Sequence, residues 1–146
     1  MPTRLVLAAA LTLLATSALA DPGADFAEKA AKQKGAIKTA SGLVYRSLVD
    51  GKGPQPAASA TVKVNYEGTF IDGKVFDSSK KNGGPISFPL NRVIKCWTEG
   101  VQKMRVGGKA QLVCPPSIAY GAAGAGGAIP PNSTLVFEVE LLDIVE

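Results

Sequence analysis

The chain has 146 residues, enough for one domain with a substantial core and too few for two ordinary ones. Its 16 Lys and Arg outnumber its 12 Asp and Glu, but they are scattered and form no stripe, which argues against nucleic acid as a partner. It contains no histidine and only two cysteines, excluding Ser-His-Asp and Cys-His catalysis, His-ligated metals and a structural zinc site.

The first 20 residues, MPTRLVLAAALTLLATSALA, read as a secretory leader. Arg4 gives the positive start, residues 5–14 an apolar run too short to span a bilayer, and Ala18-Leu19-Ala20 a small-x-small cleavage site. The expectation is cleavage after Ala20, leaving a periplasmic or secreted chain with no membrane segment. Residues 21–40 then read as a short arm, with a polar helix around 25–34 and a linker from 35 to 41.

The globular part, residues 41–146, opens at Gly42-Leu43-Val44-Tyr45, and residues 50–54 form a turn cluster. Residues 61–67 alternate, with Val62, Val64 and Tyr66 on one face and Lys63, Asn65 and Glu67 on the other, the pattern of a half-buried strand. Asp72-Gly73 signals a hairpin returning through Val75 and Phe76. A polar loop over 78–85 leads to a short strand at 86–88. Residues 98–104 are the one core helix, starting a few residues earlier and ended by Val106-Gly107-Gly108. Strands follow at 109–114, with Ala110, Leu112 and Cys114 on one face, and at 135–144, with Leu135, Phe137, Val139 and Leu141 inward. The predicted class is α+β, a five- to six-stranded twisted antiparallel sheet wrapped around one short helix.

In an exported chain, Cys96 at the helix start and Cys114 at the inward end of a strand are placed to form a disulfide; in a reducing compartment they would remain two buried thiols. Between the last two strands lies a long loop of small residues, AYGAAGAGGAIPP, with no acid, base or nucleophile after its tyrosine. It is not a dinucleotide fingerprint: the GxGxxG spacing fails, and Pro130-Pro131 stands where a helix should begin. Asn132-Ser133-Thr134 fits a glycosylation sequon, relevant only in a eukaryotic secretory route.

Taken in order, the motifs Val64-Asn65-Tyr66-Glu67-Gly68, Val75-Phe76-Asp77-Ser78-Ser79, Val93-Ile94-x-x-Trp97-x-Glu99-Gly100, Ala119-Tyr120-Gly121, Ile129-Pro130-Pro131 and Leu135-Val136-Phe137-Glu138 resemble the FKBP-type peptidyl-prolyl cis-trans isomerases. The resemblance covers residues 41–146. It implies a ligand pocket with Trp97 as floor, Tyr66, Phe76 and Phe137 as walls, and Asp77, Val93, Ile94, Tyr120 and Ile129 completing the lining. It gives Asp77, Tyr120 and Phe76 the catalytic parts, with the Ile94 N–H and the Tyr120 hydroxyl as donors to a substrate carbonyl. It implies rotation of Xaa–Pro bonds without a cofactor, a metal or a moving proton. The implied partners are proline-containing unfolded or partly folded proteins and macrolide-type inhibitors. The arm is shorter than the helical segment that dimerises some relatives, so the expected state is a monomer. The pattern departs from the family at Ile86, where an aromatic is frequent, at Asn82, where some members carry Arg, and at the small flap residues Ala125 and Ala128. The alternative reading is a non-catalytic FKBP-like module that holds unfolded chains.

Overall fold

The computed structural model describes residues 21–145; the secretory leader expected over 1–20 lies outside them. Helix α1 (Pro22–Ala31) is followed by strands β1 (Ala36–Lys38), β2 (Val44–Val49), β3 (Thr61–Phe70), β4 (Val75–Ser78) and β5 (Ile86–Pro89). Helix α2 (Lys95–Val101), β6 (Lys109–Cys114) and β7 (Leu135–Ile144) complete the chain. The seven strands form one antiparallel sheet, ordered β1-β2-β6-β7-β3-β4, with β5 also paired to β3. The sheet therefore holds one strand more than the sequence predicts. That strand is β1, three residues taken from the expected linker and paired with Val44–Arg46 of β2.

β3 is ten residues long and serves two partners along one edge. Its first half pairs with β5 through Thr61–Pro89 to Val64–Ile86, and its second half with β4 through Glu67–Ser78 to Thr69–Val75. The β3–β4 turn is the expected one: Gly73 takes a φ of 89°, and Asp72 Oδ1 accepts from the Lys74 N–H at 2.9 Å. The loop between β4 and β5 is thereby turned out of the sheet, beside the end of β4.

The period-two pattern places Val62, Val64, Leu112, Leu135, Phe137, Val139 and Leu141 in one core with Trp97 and Val101 of α2. α2 lies close on the sheet because Gly100 has no side chain: a Cβ there would sit 2.8 Å from Leu112 Cδ2. α2 occupies residues 95–101, slightly N-terminal to the predicted span. Its start is stapled to the sheet by the Cys96–Cys114 disulfide, with Cα atoms 5.8 Å apart.

The opposite face of the sheet carries its own smaller cluster. Val44 and Val113 are buried there beneath Phe26, Ala27 and Ala30 of α1. This explains why Val113, facing away from the main core, is as buried as its neighbours Leu112 and Cys114. α1 is capped by Asp21, whose carboxylate accepts from the N–H groups of Gly23 and Ala24, and its first residue is Pro22. No helix among the described residues is long and apolar enough to cross a membrane.

Candidate functional site

At one end of the main core the side chains do not fill the space, leaving a cup of about 430 Å³. Trp97, first turn of α2, is its floor and is only 4% exposed. Three rings stand edge-on to the indole, Tyr66 at 5.3 Å between centroids, Phe137 at 5.5 Å and Phe88 at 5.6 Å, all within 10° of perpendicular. Phe76 meets Phe137 at 5.7 Å in the same geometry. Such edge-to-face contacts contribute roughly 0.5–1.5 kcal/mol each beyond area burial, so the cup's shape is held by its own rings.

Each wall comes from a different strand: Tyr66 from β3, Phe76 and Asp77 from β4, Phe88 from β5, Phe137 from β7. Gly68, on β3, makes room for two of them. A Cβ at Gly68 would lie 2.6 Å from Phe76 Cζ and 2.9 Å from Phe137 Cε1. Val93 and Ile94, just before α2, and Tyr120, after β6, close the remaining sides.

The polar groups are few and fixed. Asp77 accepts hydrogen bonds from the Tyr66 hydroxyl at 2.7 Å, the Asn82 amide at 3.0 Å and the Ser78 N–H at 2.9 Å. Burial, reinforced by the hydrogen bond to Asp77, pushes the Tyr66 hydroxyl up to about 12. Tyr120 is also raised above its ordinary value, first by burial and then by the Asp77 charge, while its ring stays 40% exposed. Both hydroxyls therefore remain protonated donors at neutral pH. The Ile94 N–H donates to no acceptor among the described residues, although its carbonyl accepts from Trp97 and Thr98.

The structure brings together Tyr66, Phe76, Asp77, Val93, Ile94, Trp97, Tyr120 and Phe137 around this one space. Ile129 is placed elsewhere: it is 5% exposed, packed into the main core, and exchanges backbone hydrogen bonds with Ala125. It anchors the small-residue loop instead of lining the cup. That loop turns through Gly121, Gly124 and Gly126, all at positive φ, and a Cβ at Gly124 would meet the Ile129 carbonyl oxygen at 2.3 Å. The Asn132 N–H to Gly121 O bond at 2.9 Å closes it. Sequence reading missed Phe88, Ile86 and Arg92 as lining residues. Phe88 and Ile86 had a usable signal, two large apolar residues two apart on a short strand. Arg92 had none. Among the described residues no group of His, Cys, Asp or Glu is arranged to hold a metal ion.

Comparison with known proteins gives the family and the fold. The family model for FKBP-type peptidyl-prolyl cis-trans isomerase matches residues 53–142. The chain is 56% identical over 122 residues to the FKBP-type peptidyl-prolyl cis-trans isomerase FkpA of Escherichia coli K12, covering 84% of this chain and 45% of that protein. It is 47% identical over 114 residues to the peptidyl-prolyl cis-trans isomerase Mip of Coxiella burnetii, covering 77% of this chain and 50% of that protein. The crystal structure of Escherichia coli FkpA superposes with a TM-score of 0.81 at 55% identity, over 84% of this chain and 57% of that one. A peptidyl-prolyl cis-trans isomerase from Pseudomonas syringae superposes at 0.79 with 40% identity, over 85% of this chain and 91% of that one. The chain belongs to the FKBP-type peptidyl-prolyl cis-trans isomerase family. It spans about half the length of the curated relatives it matches.

Proposed function

We propose that the protein catalyses cis-trans rotation of Xaa–Pro bonds in other polypeptides. The observation that carries this reading is the ring-walled cup, whose polar groups are one carboxylate held by three hydrogen bonds, two protonated tyrosines, one unused backbone N–H and the Arg92 guanidinium at its edge. Rotation about the prolyl amide breaks no covalent bond, but it must lose amide resonance, a barrier of about 18–20 kcal/mol. Lowering that barrier by roughly 4–8 kcal/mol accelerates the event a thousandfold to a millionfold. The planar amide is more dipolar than the twisted one, so a site that excludes water favours the twisted form relative to the planar ground state.

In this reading Trp97, Phe76, Tyr66 and Phe137 receive the pyrrolidine ring. The Ile94 N–H and the Tyr120 hydroxyl donate to the substrate carbonyls, with most effect where they fit the rotated geometry. Asp77 holds Tyr66 in place and sets a fixed negative charge at the wall. The small-residue loop lies beside the mouth and lets a peptide pass close. Residues 41–146 serve as the isomerase unit, and 21–40, expected as an arm, lie on it as α1 and the edge strand β1. Proline-containing unfolded or partly folded proteins are the substrates, macrolide-type inhibitors compete for the cup, and the working state is a monomer, which light scattering tests. The leader pattern and the disulfide support cleavage after Ala20 and action in the periplasm.

The test is NMR exchange spectroscopy on Xaa–Pro peptides with wild type beside Asp77→Ala. Wild type is expected to accelerate exchange, and Asp77→Ala to lower the rate severalfold or more with an unchanged fold by circular dichroism. Full activity in the variant removes the role given to Asp77. No acceleration by wild type leaves a non-catalytic binding module in place of the enzyme.

A further inference from the structure

The cup is open on one side. Val93 lines it and also lines a second hollow, of about 900 Å³, along the solvent side of α2. The two spaces thus adjoin across a single side chain, and a polypeptide with its proline in the cup must leave along some path. An extended chain advances at most about 3.3–3.6 Å per residue, so roughly two to four residues beyond the proline reach across a hollow of this size.

Charge along this path is uneven. Arg92 on the cup's edge and Lys95 and Lys103 in the second hollow are all exposed, and none has a carboxylate partner among the described residues. The two acids on the route both accept hydrogen bonds from within the domain. Asp77 accepts from Tyr66, Asn82 and the Ser78 N–H, and Glu99 accepts from the Ser41 hydroxyl. The polar neighbours Thr98 and Gln102 are tied into the structure, Thr98 Oγ1 donating to the Leu90 carbonyl and Gln102 Nε2 to that of Thr98. By formal charge the route carries three cations, none paired, against two acids, so it is net positive.

Resting on the isomerase reading of the cup, we infer that the substrate chain runs over Val93 into the second hollow, where Arg92, Lys95 and Lys103 select for acidic side chains within a few residues of the proline. Exposed charges of this kind act mainly on encounter and register, and their effect weakens with salt.

The experiment uses a peptide set carrying Glu or Lys two residues before, or two residues after, a single proline. kcat/KM is measured at low and high ionic strength for wild type and for the double variant Lys95→Glu/Lys103→Glu. The expected result is a preference of roughly three- to tenfold for Glu over Lys on one side of the proline at low salt. It should shrink as salt is added and reverse in the double variant. A folding defect lowers all peptides alike and leaves the ratio unmoved, so the ratio reads the groove itself. A Glu-to-Lys ratio near one on both sides in wild type, or the same ratio in the double variant, overturns the inference while leaving the isomerase intact. Failure to accelerate any peptide removes the isomerase reading, and the substrate route with it.

Discussion

Both faces of the sheet carry a helix, and the two are held in opposite ways. On the inner face, α2 is drawn close through Gly100 against Leu112, stapled at Cys96, and loaded with the indole that three other rings touch. On the outer face, α1 rests on small side chains, mainly Ala27 and Ala30 with Phe26, against Val44 and Val113. An exposed Lys38–Glu28 ion pair at 2.9 Å adds a tie from β1. The inner helix positions a site and cannot shift without moving its floor. The outer helix covers a patch of sheet and touches no part of the cup. Position is fixed where function needs it, and only coverage is required where it does not.

That contrast can be attacked from its strong side first. Reducing the Cys96–Cys114 bond, or replacing both with Ala, should cost about 3 kcal/mol, since it releases a cross-link spanning 18 residues. Urea denaturation with and without reductant measures it, and an unchanged midpoint would remove the staple from the account. Next, Gly68→Ala should cost about 1–3 kcal/mol by forcing the Phe76 and Phe137 rings apart. It should also lower prolyl turnover by roughly ten- to a hundredfold through misplacement of the walls. A loss of stability with turnover intact would mean the rings recover their places.

On the outer face, Phe26→Ala should cost about 1–2 kcal/mol of stability, because the ring is only partly buried. Turnover in the same protein should match wild type; a matching fall would show the two faces to be coupled. The smallest effects are expected from pH, at opposite ends of the scale. Glu28 is held below its ordinary 4.5, chiefly by the hydrogen bond and charge of Lys38. Its support of α1 is therefore present above the ordinary carboxylate value and lost as pH falls through the lowered one. Tyr66 is raised from 10 to about 12, so its contribution is intact below pH 10 and lost as pH rises through about 12. Amide signals of α1 in acid and the tyrosine absorbance in alkali read the two, and turnover should be flat between about pH 6 and 9 for want of any histidine.

Much of the inner face was readable in the sequence. Val62, Val64, Leu135, Phe137, Val139 and Leu141 repeat at a period of two, and both neighbouring layers obey it. The glycines that allow close approach sit inside recognisable motifs, so Tyr66, Phe76, Asp77 and Trp97 could be placed around one pocket. The outer face was harder. α1 shows only Phe26 and a few alanines as its apolar side, and nothing in those residues says which patch of sheet they cover. β1 is three residues long, and its pairing depends on β2 rather than on its own composition. Arg92 became a lining residue through the short 3₁₀ turn at Leu90–Arg92, a property no local pattern records. Ile129 sits beside two prolines in a recognised motif, yet the turn at Gly124 brings its carbonyl against the loop and its side chain into the core.

The strand order has a further consequence for how the molecule is made. β7, made after the other six strands of the sheet, belongs in its middle, between β6 and β3. Without it, β3 and the β2–β6 pair are two separate fragments with facing unsatisfied edges, and the cup lacks its Phe137 wall. The sheet of such a chain is therefore completed late, by pairings distant in sequence, and loss of the 135–140 half of β7, which alone bridges β6 to β3, should unravel the whole domain instead of fraying one end.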